Sequence, residues 1–286
     1  MNVKQLALLV FQISLLSTVL VFGLKATLTD LRYLISRPGL LTRSLAAVFV
    51  VMPALAVALD RCFNFPPTVE IAIVALAISP LPPVLPAREA KAGAHQSYGL
   101  GLMVLLALLS IGIVPLAAEV LGVLFGRRYD VAPGGIAVVI LTTVLAPLAV
   151  GVVIHAVAPR VAERVVKPIT LAAKVMVPLA ALALLIIAAP ALWRLITNGT
   201  ILAIVVFLAV GFAVGHTLGG PEPDHAAVLA FSTACRHPGI ALSIAASNYP
   251  DQRFAATILL YLITAFVLGL PYSAWHRRRA AHADAL

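Results

Sequence analysis

Long stretches without a charged residue alternate along the chain with short clusters of Lys and Arg. Because a charge at the centre of a bilayer is costly, these clusters mark the ends of membrane-spanning segments. The pattern predicts an all-α polytopic membrane protein with about nine transmembrane helices of about 20 residues each. The charge-free runs are 5–24, 44–59, 71–87, 92–118, 131–159, 175–193, 195–221, 226–235 together with 238–250, and 254–275.

Two of these runs contain residues that a continuous helix does not tolerate. The sequence SPLPPVLP at 79–86 carries four prolines, and each proline removes a backbone donor and clashes with the preceding turn. In the eighth run, Arg236 and His237 stand directly before a Pro-Gly pair. Broken helices persist at membrane depth only where the freed backbone is buried or lines a cavity, so both breaks are predicted to meet at one interior site. Four residues are expected to shape the chain at this crossing: Pro80, Pro83, Pro238 and Gly239.

The two breaks occupy corresponding positions in the two halves of the chain. Each is followed by one loop and one helix that closes its half. Interrupted segments in corresponding positions indicate a secondary transporter built from inverted repeats. We therefore predict a single transmembrane transporter domain over 1–286, with repeat one at about 1–125 and repeat two at about 131–276. The first repeat then has four spans and the second has five.

The basic residues predict the orientation of the chain. When the nine spans cross alternately, 13 Lys and Arg fall on one side and 6 on the other, and only Arg236 lies within a span. The side richer in Lys and Arg faces the cytoplasm, so the N-terminus is predicted outside and the C-terminus inside. The loop 215–225 is an exception, because its only charges are Glu222 and Asp224. We expect the protein in a plasma (inner) membrane of bacterial type.

The composition excludes several classes of function. Of the 286 residues, 62% are hydrophobic and only 11% are charged, and the net charge of +9 is explained by membrane orientation without nucleic-acid binding. Nine spans leave about 100 residues for loops and ends, too few for a soluble catalytic domain, so the protein is predicted not to be an enzyme. Cys62 and Cys235 have no metal-site spacing, and neither a metal nor a cofactor is expected. No GxxxxGK[ST] motif occurs, so this chain does not use ATP through a P-loop.

Four stretches of the sequence resemble the bile acid:sodium symporter family. They are LKATLTDLRYLISRPGLL, AVFVVMPALAVAL, FPPTVEIAIVALAISP and FSTACRHPGIALSIA. The resemblance implies two inverted five-helix repeats with two discontinuous crossing helices, and members that lack the first helix have nine spans. It also implies secondary active transport of a small organic anion by alternating access. The partners implied are an anionic small-molecule substrate and the lipid bilayer, with no nucleic acid.

The chain departs from this family at the positions that bind sodium. Sodium-coupled members carry oxygen-bearing ligands there, and this chain has mostly residues without a side-chain oxygen: Val48, Leu85, Pro86, Ser232 and Arg236. Hard cations need several converging oxygen ligands. The resemblance therefore implies that transport is independent of sodium. A sodium-coupled symporter with a rearranged ion site remains the alternative.

Arg236 is the leading candidate for substrate contact. Its planar guanidinium can bind a carboxylate through two hydrogen bonds. Alternatively, it pairs within the protein, with Glu119 the only acidic residue that the sequence places near a span interior, or it replaces the charge of a missing cation. A third alternative is that it lies at a helix end. His237 either takes part in proton coupling or stays neutral and bonds freed backbone. Three hydroxyl residues beside the breaks complete the predicted substrate site, with helix packing as their alternative role: Ser79, Ser232 and Thr233.

Other functions remain compatible with the sequence. An auxin-efflux-like carrier is one, and an arsenite carrier is another, although it would need a cysteine where this chain has Ser79. From a different class, the chain could be a non-transporting membrane sensor or a structural subunit. Uptake into proteoliposomes separates these classes, because a sensor binds its ligand without accumulating it.

We expect a reporter fused after Leu286 to lie in the cytoplasm, because the basic residues favour that side for the C-terminal end of the chain. A compartment-specific reporter in intact cells measures this directly. A reporter found outside would contradict both the charge count and the assignment of inverted repeats.

Overall fold

The computed structural model describes residues 3–63, 65–126, 131–193, 200–249 and 254–283. Within these ranges the regular structure is entirely helical, which confirms the predicted all-α class. Two short π-helical turns occur inside longer helices, π1 (Ala47–Val51) and π2 (Leu141–Leu145). The α-helices are α1 (Val3–Lys25), α2 (Leu28–Arg32), α3 (Pro38–Ala46), α4 (Met52–Phe63), α5 (Pro67–Ile78), α6 (Leu85–Lys91), α7 (Gln96–Phe125), α8 (Pro133–Ile140), α9 (Ala146–Val157), α10 (Pro159–Trp193), α11 (Thr200–Leu218), α12 (Pro223–Ala234), α13 (Pro238–Asn248) and α14 (Ala255–Ala283).

Seven helices in the described part of the chain are long and apolar enough to cross a bilayer. They are α1, the continuous unit α3–π1–α4, α7, the continuous unit α8–π2–α9, α10, α11 and α14. The chain is therefore an integral, polytopic membrane protein, as predicted. The remaining two predicted spans are the pairs α5/α6 and α12/α13, whose members have 7 to 12 residues and are too short to cross alone. The total of nine spans and the inverted repeats stay predictions.

One predicted boundary is displaced in the structure. The sixth charge-free run begins at residue 175, but α10 already begins at Pro159 and continues to Trp193. The basic residues of 160–174 therefore lie on a helix and not in a loop. A charge-free run locates the apolar part of a helix, and it does not locate a helix end where the helix continues beyond the hydrocarbon region.

Both predicted breaks are present. Helix α5 ends at Ile78 and α6 begins at Leu85, and the intervening prolines have no N–H with which to continue the helix. Helix α12 ends at Ala234 and α13 begins at Pro238. Proline is favoured in the first turn of a helix, where its missing N–H has no partner to lose.

The half-helices α5 and α12 form the centre of the bundle. All residues from 69 to 78 on α5 are buried, and so are all residues from 225 to 234 on α12. Longer helices around them expose apolar side chains, as expected for a surface that faces lipid. The two breaks at the ends of these half-helices are consequently enclosed by protein.

Small residues bring α12 close to α11. Without a hydrophobic drive between helices in lipid, small residues allow the backbones to approach and make van der Waals contact. A Cβ atom added at Gly215 would overlap the carbonyl oxygen of Leu229, so only glycine fits. The contact repeats every fourth residue, at Gly211 and Gly215 on α11 and at Gly219 directly after it, and at Ala234, Ala230 and Ala226 on α12.

Several connections meet at one end of the bundle. The two ring nitrogens of His276 on α14 lie 3.0 Å from Ala92 O and 2.7 Å from Pro223 O. Tyr33 directly follows α2, and its hydroxyl lies 2.7 Å from His225 Nε2 at the start of α12. If the nine predicted spans cross the membrane alternately, these connections all lie on the same side, which is the side predicted to be cytoplasmic.

We expect Gly215→Ala to destabilise the protein, because its Cβ forces α11 and α12 apart and overpacking costs about 1–3 kcal/mol. Thermal unfolding of the purified protein in detergent measures the loss as a fall of several degrees in Tm. The matched control is Gly112→Ala on α7, where an added Cβ meets no atom within 4 Å and alanine favours the helix. Equal Tm values for the two variants would contradict the close contact.

Candidate functional site

The two breaks meet inside the bundle. The backbone N–H of His237 donates a hydrogen bond of 2.7 Å to the carbonyl oxygen of Pro80. Both residues are buried. The second break supplies a backbone donor, the N–H of His237. The first break supplies the acceptor, because Pro80 lies outside any helix and its carbonyl oxygen has no helical partner. The direct bond joins the chain at 79–84 to the chain at 235–237.

Arg236 joins the second break to the first half of the chain. Its side chain is 0% exposed. Nη2 donates to the carbonyl oxygen of Val48 at 3.1 Å, and Nη1 donates to that of Ser79 at 3.4 Å. Val48 lies in π1, and Ser79 follows the last residue of α5. No carboxylate forms an ion pair with Arg236 among the described residues, so backbone oxygens take the place of a counter-ion.

Tyr261 on α14 completes the second break. Its hydroxyl accepts the backbone N–H of Arg236 at 2.6 Å and donates to the carbonyl oxygen of Ala234 at 2.8 Å. Both backbone groups are freed where α12 ends. The sequence did not identify Tyr261, because nothing in its apolar run distinguishes a tyrosine that packs from one that bonds freed backbone.

The second break retains buried polar groups without a hydrogen-bond partner. They are Thr233 Oγ1, Arg236 Nε and His237 Nε2. The Nδ1 atom of His237 accepts the N–H of Ile240 at 3.3 Å, so in the neutral ring the hydrogen lies on Nε2. All three groups can donate, and they lie within five consecutive residues. A buried donor without a partner costs free energy, which an acceptor bound at this position would recover.

The predicted residues Ser79 and Ser232 have partners within the protein. Ser79 Oγ donates to Ala75 O of its own helix at 2.6 Å. Ser232 Oγ donates to Glu89 Oε1 at 2.9 Å. Both side chains are buried beside the breaks, and their role as substrate ligands stays a prediction.

Glu89 is a buried acidic residue that the sequence analysis missed. It is 3% exposed, and its Oε2 atom has no hydrogen-bond partner. The expectation that Glu119 alone lies near a span interior is wrong, because Glu119 is exposed whereas Glu89 and Glu70 are buried. Glu89 stands between two basic residues in the sequence, a pattern that is typical of a solvated loop. In the structure it lies on α6 and bonds to α12 through Ser232.

The neighbouring Arg88 is also drawn into the bundle. Its Nη2 donates to the carbonyl oxygens of Ala265 and Phe266 on α14, at 2.9 and 2.8 Å. These carbonyls lie in the turns before Pro271, which has no N–H and disturbs the helical bonds of the preceding turn. A residue that counts as an orientation signal in the sequence therefore also stabilises a proline-containing helix.

A small cavity of about 120 Å³ lies between α8 and α13. Apolar residues line it together with the hydroxyl of Ser243. Ligand pockets usually have volumes of about 300–1,000 Å³. The cavity is smaller than this, and Pro80, Arg236 and His237 are buried, so the crossing is closed to solvent in this structure.

Comparison with known proteins adds one match. The model of the Sodium Bile acid symporter family matches residues 12–192, which is more than half of the chain. No curated protein matches the chain. The matched range includes the first break and Glu89, and it ends before the second break with Arg236 and His237.

Proposed function

Because the chain belongs to the sodium bile acid symporter family, a family of transporters, we propose that it transports a small organic anion without sodium. The anionic substrate and the independence from sodium both rest on the second break. Movement of one helix bundle against the other around the crossing gives alternating access. The substrate binds where the two broken helices cross.

The proposal of an anionic substrate rests on the hydrogen-bond donors without partners at 233–237. Thr233 Oγ1, Arg236 Nε and His237 Nε2 are buried and lack partners in this structure. A carboxylate presents acceptor oxygens only, so it can satisfy several such donors together. The guanidinium also supplies the opposite charge. In this proposal Arg236 has a structural role and a binding role. Its terminal nitrogens bond backbone oxygens, and its Nε faces the substrate.

The same guanidinium supports independence from sodium. The carbonyl oxygens of Val48 and Ser79 are ligands of the kind that a hard cation uses, and they already accept hydrogens from Arg236. A second cation close to this fixed charge would be repelled strongly in a low-dielectric interior. Arg236 thus performs permanently the electrostatic role that a bound ion performs transiently.

A second candidate is the sodium-coupled symporter with a rearranged site. It is favoured by Glu89, whose Oε2 is buried without a partner and whose Oε1 accepts from Ser232. A carboxylate beside a hydroxyl offers oxygens to a hard cation. This candidate places the ion near α6 and α12, away from the guanidinium.

We expect Thr233→Val to weaken anion binding about 5-fold, since one neutral hydrogen bond contributes about 1 kcal/mol. Its hydroxyl has no partner in the protein, so the Tm without ligand should not fall. A thermal-shift screen with carboxylates provides the ligand and the affinity.

We expect Arg236→Ala to abolish anion binding and Arg236→Lys to restore it poorly, because an ammonium cannot reproduce the planar fork of the guanidinium. Arg164→Ala, which removes an exposed charge on α10, is the control. Unchanged affinity in Thr233→Val and Arg236→Ala would contradict the site.

We expect uptake into proteoliposomes to be the same when choline replaces sodium, because Arg236 occupies the carbonyl oxygens that an ion would need. The initial rate of uptake of an anion found in the screen is the measurement. A steep, saturable dependence on sodium would contradict the proposal. In that case loss of the dependence in Glu89→Gln would support the rearranged site. Binding without accumulation under any gradient would instead indicate a sensor.

A further inference from the structure

Three metal-ligating side chains converge at the end of the bundle where the connections meet. They are His95, which caps α7, and Asp224 and His225 in the first turn of α12. One ligand atom from each lies within 4.8 Å of those of the other two. His95 is separated from the other two by more than 120 positions in the chain, so the sequence showed no metal-site spacing.

We propose that His95, Asp224 and His225 form a binding site for a divalent transition-metal ion such as Zn²⁺. Two imidazoles and one carboxylate suit Zn²⁺ and its neighbours better than Na⁺ or Mg²⁺, which prefer oxygen ligands only. The site lies apart from the two breaks. It does not depend on the proposed transport of an anion.

The surroundings of His225 match those of a ligating histidine. Its Nδ1 atom contacts the carboxylate of Glu222, the residue that directly precedes α12. Ligating histidines usually donate this second ring hydrogen to a carboxylate or a carbonyl, which orients the ring and fixes the tautomer. The other nitrogen, Nε2, then carries a free lone pair. It is contacted at 2.7 Å by the Tyr33 hydroxyl, which moves aside when a metal takes that position.

His95 and Asp224 each have an atom available. The Nδ1 atom of His95 accepts the N–H of Tyr98 in a long bond of 3.3 Å. Ligation through Nε2 moves the ring hydrogen to Nδ1 and ends that bond. Asp224 Oδ1 accepts the N–H of His225 at 2.9 Å, which leaves Oδ2 for the metal.

The geometry needs only small side-chain adjustments. With Zn–N bonds of about 2.0–2.1 Å, neighbouring ligand atoms of a tetrahedral site are about 3.3 Å apart. One atom of each residue already lies within 4.8 Å of the others, so these atoms move inward by about 1 Å or less. Water or the Glu222 carboxylate can complete the fourth position. The bound ion joins the start of α7 to the start of α12, two helices from the two predicted repeats.

Metal binding to the purified full chain without an affinity tag tests the proposal. We expect about one equivalent of Zn²⁺ to bind and to raise the Tm. Co²⁺ should bind the metal-free site with the visible absorption of a four- or five-coordinate nitrogen and oxygen site, and Zn²⁺ should displace it. Mg²⁺ should not compete. His95→Asn should weaken Zn²⁺ binding at least about 10- to 100-fold. His155→Asn is the matched control, because His155 is exposed on α9.

The outcomes separate clearly. Equal Zn²⁺ affinity in His95→Asn and the wild type would overturn the site, and so would Co²⁺ bound without visible absorption. If His95→Asn lowers the Tm of the metal-free protein, Asp224→Asn decides, since it keeps both imidazoles and removes only the carboxylate. Retention of the site in Asp224→Asn would also overturn the proposal. None of these readouts measures transport, so failure here is distinct from failure of the proposed function.

Discussion

Backbone groups freed inside a membrane protein must find partners within the protein, because lipid offers none. The two breaks meet this requirement through each other. The N–H of His237 bonds Pro80 O, the guanidinium of Arg236 bonds Val48 O and Ser79 O, and Tyr261 bonds the backbone on both sides of Cys235. The prolines of the first break have no N–H groups, so this break has few backbone donors. Arg236 supplies side-chain N–H donors, which can reach carbonyl oxygens that no helical N–H reaches. The protein's own groups therefore connect the two breaks at the crossing.

The position of α12 connects this crossing to the rest of the fold. Its alanines pack against the glycines of α11, and its Ser232 bonds Glu89 on α6. At its start, Asp224 and His225 approach His95. One half-helix thus carries the crossing at one end and an ionisable cluster at the other. Alternating access that moves α12 would couple these two ends, because a short rigid helix transmits a displacement along its length.

Charged residues near helix ends have structural partners as well as a role in orientation. Arg88 counts toward the positive-inside signal and also bonds two carbonyl oxygens of α14. The loop with Glu222 and Asp224, the exception to that signal, brings carboxylates to the histidines of the same end. A count of charges does not distinguish a solvated residue from one that folds inward.

The all-helical membrane class and the two broken helices could be predicted from the residues alone, because the cost of a charge in lipid and the missing N–H of proline act locally on the chain. The family was predicted from four stretches of similar sequence. Arg236 and His237 were also found in this way, since polar residues in an apolar run are visible without a structure. Packing of the helices was needed to show that Arg236 bonds carbonyls from two other elements, that Glu89 is buried while Glu119 is exposed, and that His95 lies near His225. These facts depend on distances between residues far apart in the chain, and such distances arise only when helices pack.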